Sequence, residues 1–213
     1  MNYIQVRLWL GPFAAVLLFS GMFAVGLMIP GYSHVRQTVS ELGEVGSPGR
    51  ISFTVLLLLV AGCLIVSATG VYAALRAANC STVPAFFVGA MAVSAGGVGV
   101  FAYPNPLHNV FGMSELIGYQ APLVAALVCR AAAGMGQIRR FSFVMYVLVV
   151  LAIAANMTSL HRHGDLWLHI RPFYGVVQRM LFAAWFFWCA GYALLLMRMP
   201  RARFAPAQPT AIV

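Results

Sequence analysis

Lysine is absent from the 213 residues, and the acidic side chains are limited to Glu41, Glu44, Glu115 and Asp165. Charged residues make up 8% of the chain and hydrophobic ones 62%, whereas about a quarter of an ordinary soluble domain is charged. Water could not solvate such a surface, which excludes a soluble globular domain. The 13 Arg behind the formal charge of +9 are scattered along the chain, and this excludes a nucleic-acid-binding face. Cysteine is scarce: Cys63, Cys80, Cys129 and Cys189 lie within or at the ends of apolar runs and share no paired spacing, so neither a disulfide framework nor a thiolate metal site follows. Also missing are a G-x-S-x-G elbow, an H-E-x-x-H pair and a Walker loop, so the commoner hydrolase and nucleotide chemistries have no motif to stand on.

Long apolar sequence is what the chain has in abundance. A hydrocarbon core about 30 Å thick needs about 20 apolar residues at a rise of about 1.5 Å each. Six stretches meet this, at roughly 8–30, 51–75, 82–103, 109–130, 141–160 and 175–197. They predict an all-α, polytopic bundle of about six transmembrane helices over residues 1–199. The first apolar run is too long for a signal peptide and no clean cleavage site follows it, so it reads as a span. With the N-terminus inside, Arg7, Arg76, Arg130, Arg139, Arg140, Arg198, Arg201 and Arg203 fall at inner ends with no acid among them. Arg36, Arg50, Arg162, Arg171 and Arg179 share the outer half with all four acids. That asymmetry predicts an N-in, C-in topology. Residues 200–213, rich in Pro and small residues, predict a disordered cytoplasmic tail.

Within the spans, Ala85, Gly89, Ala92 and Gly96 form a small-residue stripe suited to close helix packing, with a weaker version at Gly62 and Gly70. Pro122 should kink the fourth span and free a carbonyl that a neighbour must satisfy. No internal repeat of the kind seen in many transporters is visible.

Polar residues gather in the three outer connections. In residues 31–50, Val35, Val39 and Leu42 recur at helical steps, predicting a short amphipathic helix ended by Gly43. His34, Gln37 or Thr38, and Glu41 would share its other face, with Arg36 close enough for a charge pair. The segment reads as an interfacial plug or as a lid over a ligand pocket. Ser40, beside Glu41 and near His34, can be drawn as a nucleophile with a base. In the second connection His108 opens the fourth span, and Glu115 and Tyr119 follow at i+7 and i+11 as one polar stripe entering the membrane. A carboxylate at that depth is costly; it reads as a structural partner of Arg179, next to Gln178 in the last span, or as a ligand or proton group. The third connection holds His161, His163, Asp165 and His169, residue types that bind zinc or similar ions, in spacing that is not diagnostic. Trp167, Phe173 and Tyr174 beside them form an interfacial aromatic belt.

The segment Y-S-H-V-R-Q-T-V-S-E-L-G at 32–43, F-A-Y-P at 101–104 followed by His108, and Y-G-V-V-Q-R at 174–179 resemble the bacterial and archaeal membrane proteins grouped as domain of unknown function 998. The resemblance covers roughly residues 10–197 and rests most on Ser40, Glu41, Leu42, Gly43, Gln178 and Arg179. It implies a six-helix fold in the cytoplasmic membrane of a prokaryote, and a single site shared by the three outer segments. Family members usually carry an acid after the F-P turn, where Asn105 stands here.

Three functions are compatible with these residues. The first is an outward-facing pocket for a lipid or small amphiphile, formed by His34, Arg36, Ser40, Glu41, His108, Glu115, Tyr119, Gln178 and Arg179. The second is an intramembrane hydrolase or transferase acting on a lipid through His108, Glu115 and one or more of His161, His163 and His169, with or without a metal. The third is a transporter with Glu115 and Arg179 in its path, a reading weakened by the single intramembrane acid. Membrane lipids are the expected partners, no cofactor is predicted beyond a divalent metal at the third connection, and no feature speaks to oligomeric state.

Overall fold

The computed structural model describes residues 2–128 and 135–199, and the proposed tail at 200–213, with Cys129, Arg130, Arg201 and Arg203, lies outside them. Among the described residues the regular structure is helical: α1 (Tyr3–Leu27), α2 (Arg50–Ala77), α3 (Val83–Val100), α4 (Pro106–Gly118), α5 (Ala121–Val128), α6 (Gly136–Met157), α7 (Asp165–Ile170) and α8 (Tyr174–Met197), with short 3-10 turns between. Six helical segments are long and apolar enough to cross a membrane, α4 with α5 and α7 with α8 each counting once. Counting the last span from α8, span positions agree with the sequence expectation to within five residues, about a turn and a half of helix. The short helix α7 was not anticipated.

Local chemistry explains where the helices begin and end. Asn2 caps α1 by accepting from Gln5 N at 2.9 Å while the Gln5 side chain accepts from Asn2 N, a reciprocal capping box. At the end of α2, Asn79 adopts a left-handed φ of 52°, and Cys80 N and Asn79 N donate back to the carbonyls of Leu75 and Arg76. This Schellman closure reverses the chain in a few residues, and Pro84 restarts it as α3.

The spans close into a ring, since α1 packs on α2, α2 on α3, α3 on α4 and α5, α5 on α6, and α8 on both α6 and α1. Along α8, Leu181, Trp185, Cys189, Tyr192 and Leu196 are buried at helical steps, so the last helix supplies much of the core. Of the expected close approaches, Gly70 lies against the Leu8 backbone, but Gly62 and Gly89 face open space. Small residues permit close packing without enforcing it.

The kink expected at Pro122 occurs as the break between α4 and α5. Proline has no N–H to offer the carbonyl four residues earlier, that of Gly118. Trp185 of α8 fills the vacancy, its indole N–H donating to Gly118 O at 2.8 Å. Trp185→Phe should therefore cost about 1–3 kcal/mol, the penalty of an unsatisfied buried acceptor. Pro122→Ala returns an amide N–H to Gly118, so the same Phe substitution should cost much less in that background. Thermal denaturation of the four proteins in one detergent checks the coupling, and equal losses in both backgrounds would refute it.

Candidate functional site

The connections between α1 and α2, α3 and α4, and α6 and α8 all emerge at one end of the bundle. The first of them, residues 28–49, is folded down onto the helix ends, with Val39 and Leu42 buried and Val35 exposed. The amphipathic helix expected over 33–43 does not form; only Ser40–Gly43 makes a 3-10 turn. The reason lies in its backbone acceptors. Carbonyls that a helix would pair internally are taken from outside: Arg179 Nη1 donates to His34 O and Gln37 O at 3.0 Å each, and Val176 N donates to Val35 O at 3.2 Å.

Arg179 is the anchor of this arrangement. Besides those two carbonyls it donates to its own helix at Gly175 O (2.9 Å) and, through Nη2, to the Tyr32 hydroxyl (2.6 Å). The neighbouring Gln178 accepts from Val39 N at 2.6 Å. Tyr32 passes the chain on by donating to Thr38 O at 2.7 Å. Burial raises the Tyr32 phenol above its usual range, an effect partly offset by the Arg179 charge. Burial first, and the Arg179 charge second, lower the His34 imidazole below its ordinary range. His34 lies flat on Phe23 of α1 at 5.6 Å and edge-on to Tyr32 at 5.0 Å.

Glu41 is held entirely by near neighbours. Its carboxylate accepts from Gln37 Nε2 at 2.8 Å and from Thr38 N and Oγ1 at 2.8 and 2.9 Å. Arg36 is exposed, and the anticipated Arg36–Glu41 pairing is replaced by these uncharged donors.

Ser40, drawn from sequence with His34 or Glu41, instead meets His108. Ser40 Oγ lies 3.0 Å from His108 Nε2, and His108 Nδ1 lies 2.8 Å from Phe101 O. His108 is only 6% exposed. It occupies the first turn of α4, which Asn105 caps by accepting from Leu107 N at 2.9 Å. Asn105 thus serves as a helix cap.

Glu115 and Tyr119 do form a stripe below His108, with Tyr119 Oη donating to Glu115 Oε2 at 3.0 Å. The expected structural pair of Glu115 with Arg179 is not made, because none of the Arg179 hydrogen bonds goes to Glu115. At the third connection His161, His163, Asp165 and His169 are all exposed, and His169 Nδ1 pairs with Asp165 O at 2.7 Å along α7. No group of three or more His, Cys, Asp or Glu suited to a metal exists among the described residues. His161 and His163 precede α7 and only Asp165 and His169 lie on it, so density in sequence did not become convergence in space.

One feature was invisible in the sequence. Between α1 and α6, floored by α8, runs a groove of about 930 Å³ lined by Pro12, Ala15, Val16 and Phe19, by Met145, Leu148, Leu151, Ala152 and Ala155, and by Val177, Met180, Ala183, Ala184, Phe187 and Ala190. Every lining side chain is apolar, and alanines on α6 and α8 make the depth. From Val177 to Ala190 it extends about 20 Å along α8, a little more than one leaflet of hydrocarbon. Phe19 at its upper end is one turn below Phe23, on which His34 lies.

The sequence profile described as Protein of unknown function (DUF998) matches residues 12–195. No curated protein and no solved structure matches the chain.

Proposed function

Since the chain belongs to this DUF998 family of membrane proteins, whose name supplies no substrate, we propose from its geometry that it binds a single-chain or double-chain lipid amphiphile in the α1/α6/α8 groove. The observation that carries the proposal is the groove itself. At about 930 Å³ it falls within the size range of small-molecule sites, roughly 300–1,000 Å³. It has no polar fixture along its length, which suits a hydrocarbon tail and nothing more hydrophilic. Water is excluded at that depth, so an acyl chain is the occupant that the surroundings supply. Its outer end is marked by Phe19, one turn from the Phe23 on which His34 lies, and by Val177, next in sequence to Gln178, so in this reading the headgroup sits near His34.

In this reading the polar end faces out of the cytoplasmic membrane of a prokaryote. The opposite end, with Arg7, Arg76, Arg139, Arg140 and Arg198, faces the cytoplasm, as the usual distribution of basic residues favours.

Ala184→Trp should fill the groove floor and abolish lipid retention while leaving the bundle folded. Native mass spectrometry of the detergent-purified protein is expected to find one lipid class bound to the wild type, with at least a tenfold lower bound fraction in the variant. Retention no greater than that of an unrelated six-span protein purified alongside would refute the reading. A His34→Ala variant that keeps the tail contact but broadens the headgroups retained would locate the headgroup end.

A further inference from the structure

We propose that Ser40 is a nucleophile activated by His108, and that it accepts the acyl group of an ester-linked or thioester-linked amphiphile reaching it from the bilayer. Hydrogen-bond logic fixes the direction of each contact. A carbonyl oxygen only accepts, so His108 Nδ1, 2.8 Å from Phe101 O, carries the ring proton. Nε2 of the neutral ring is then a bare lone pair, and Ser40 Oγ at 3.0 Å must donate to it. A serine hydroxyl donating to an imidazole that a third group holds in one tautomer is the arrangement that makes serine nucleophilic.

Both partners are fixed independently, as a reactive pair requires. Ser40 opens the 3-10 turn whose preceding amide, Val39 N, is tied to Gln178. His108 is buried in the first turn of α4, with its ring 6.0 Å from Tyr103 and nearly edge-on. The pair joins residues 68 apart in sequence. Access comes at Ser40, which is half-buried, whereas His108 is buried. A substrate carrying its carbonyl at headgroup level and its chain in the bilayer fits that approach.

The step balances without a cofactor. As Oγ bonds to the acyl carbon, the Ser40 proton passes to His108 Nε2 and the carbonyl π pair moves onto oxygen. Collapse of that intermediate expels the alkoxide or thiolate, which takes the proton from Nε2 and leaves an acyl ester on Ser40. Water from the outer aqueous phase repeats the sequence, releasing the free acid and restoring Ser40. Phe101, acting through its carbonyl, is a positioning residue.

The inference does not depend on the groove, and its test uses a different readout. The full-length protein in lipid nanodiscs is treated with an alkyl fluorophosphonate, and the adduct is located by peptide mass spectrometry. Ser40 is expected to carry the label in the wild type. His108→Gln, which keeps hydrogen-bonding capacity but no base, should label at least 100-fold more slowly at an unchanged elution volume, in line with the roughly 10²–10⁴-fold typical of a general base. Absence of label on Ser40 in folded wild type, label confined to other serines, or an equal rate in His108→Gln would each overturn the proposal.

Discussion

Arg179→Met is expected to expose the folded 28–49 segment on the order of 100-fold more often, with the transmembrane bundle intact. The guanidinium donates to two carbonyls of that segment, His34 O and Gln37 O, and to the Tyr32 hydroxyl. A hydrogen bond from a charged donor contributes about 1.5 kcal/mol at the low end, so losing the two carbonyl contacts alone removes about 3 kcal/mol of local stability. Each 1.4 kcal/mol is about a factor of ten, which gives the stated change. Nothing else in the bundle depends on these bonds, since the spans are held by apolar packing around Trp185, Trp188 and Tyr192. A reporter cysteine at Val39, which is 6% exposed, reads the opening through its rate of maleimide labelling. Arg179→Lys should recover only part of the protection, because one ammonium cannot reproduce the planar fork that reaches carbonyls and phenol together. Equal labelling rates in wild type and Arg179→Met would show that the segment is held by something else.

The same contacts explain why the span positions were legible in the sequence and the site was not. Span positions follow from length and hydropathy alone, properties of a contiguous run of residues. Pro122 was legible for a similar reason: a missing N–H identifies the carbonyl it orphans by counting four residues back, and only the identity of the donor, Trp185, needed the fold. The amphipathic pattern of Val35, Val39 and Leu42 correctly marked which residues turn inward at two of three positions, yet it could not reveal that α8 would claim the backbone acceptors a helix needs. Periodicity reports side chains and says nothing about competition for carbonyls. Ser40 and His108 were each identified as candidates, but their partnership spans two connections and depends on how the first segment docks on α4. The groove left no trace because its residues are indistinguishable by composition from any lipid-facing alanine and leucine.

Gly175→Ala should reproduce the Arg179→Met phenotype by a steric route. Gly175 is the second residue of α8, and a Cβ built there would stand 2.6 Å from His34 O and 2.9 Å from Val35 O, and nearer still to Gln37 O. All three are backbone atoms, so no rotamer change relieves the clash, and the segment must lift from the helix end. Lifting it breaks the Val176 N to Val35 O contact and draws His34 O and Gln37 O away from Arg179, so one methyl group disrupts the whole anchor. In a helix the same exchange elsewhere is favourable by about 1 kcal/mol, and Gly112→Ala, with nothing within 4 Å of its added carbon, is the matched control. Maleimide labelling at the Val39 reporter should therefore rise on the order of 100-fold in Gly175→Ala and stay unchanged in Gly112→Ala. Because both lesions act on one set of bonds, the double variant Gly175→Ala/Arg179→Met should label little faster than either single variant. Additive effects would mean that the glycine and the arginine support different parts of the segment. Labelling unchanged in Gly175→Ala would mean that the first connection does not sit against the start of α8 at all.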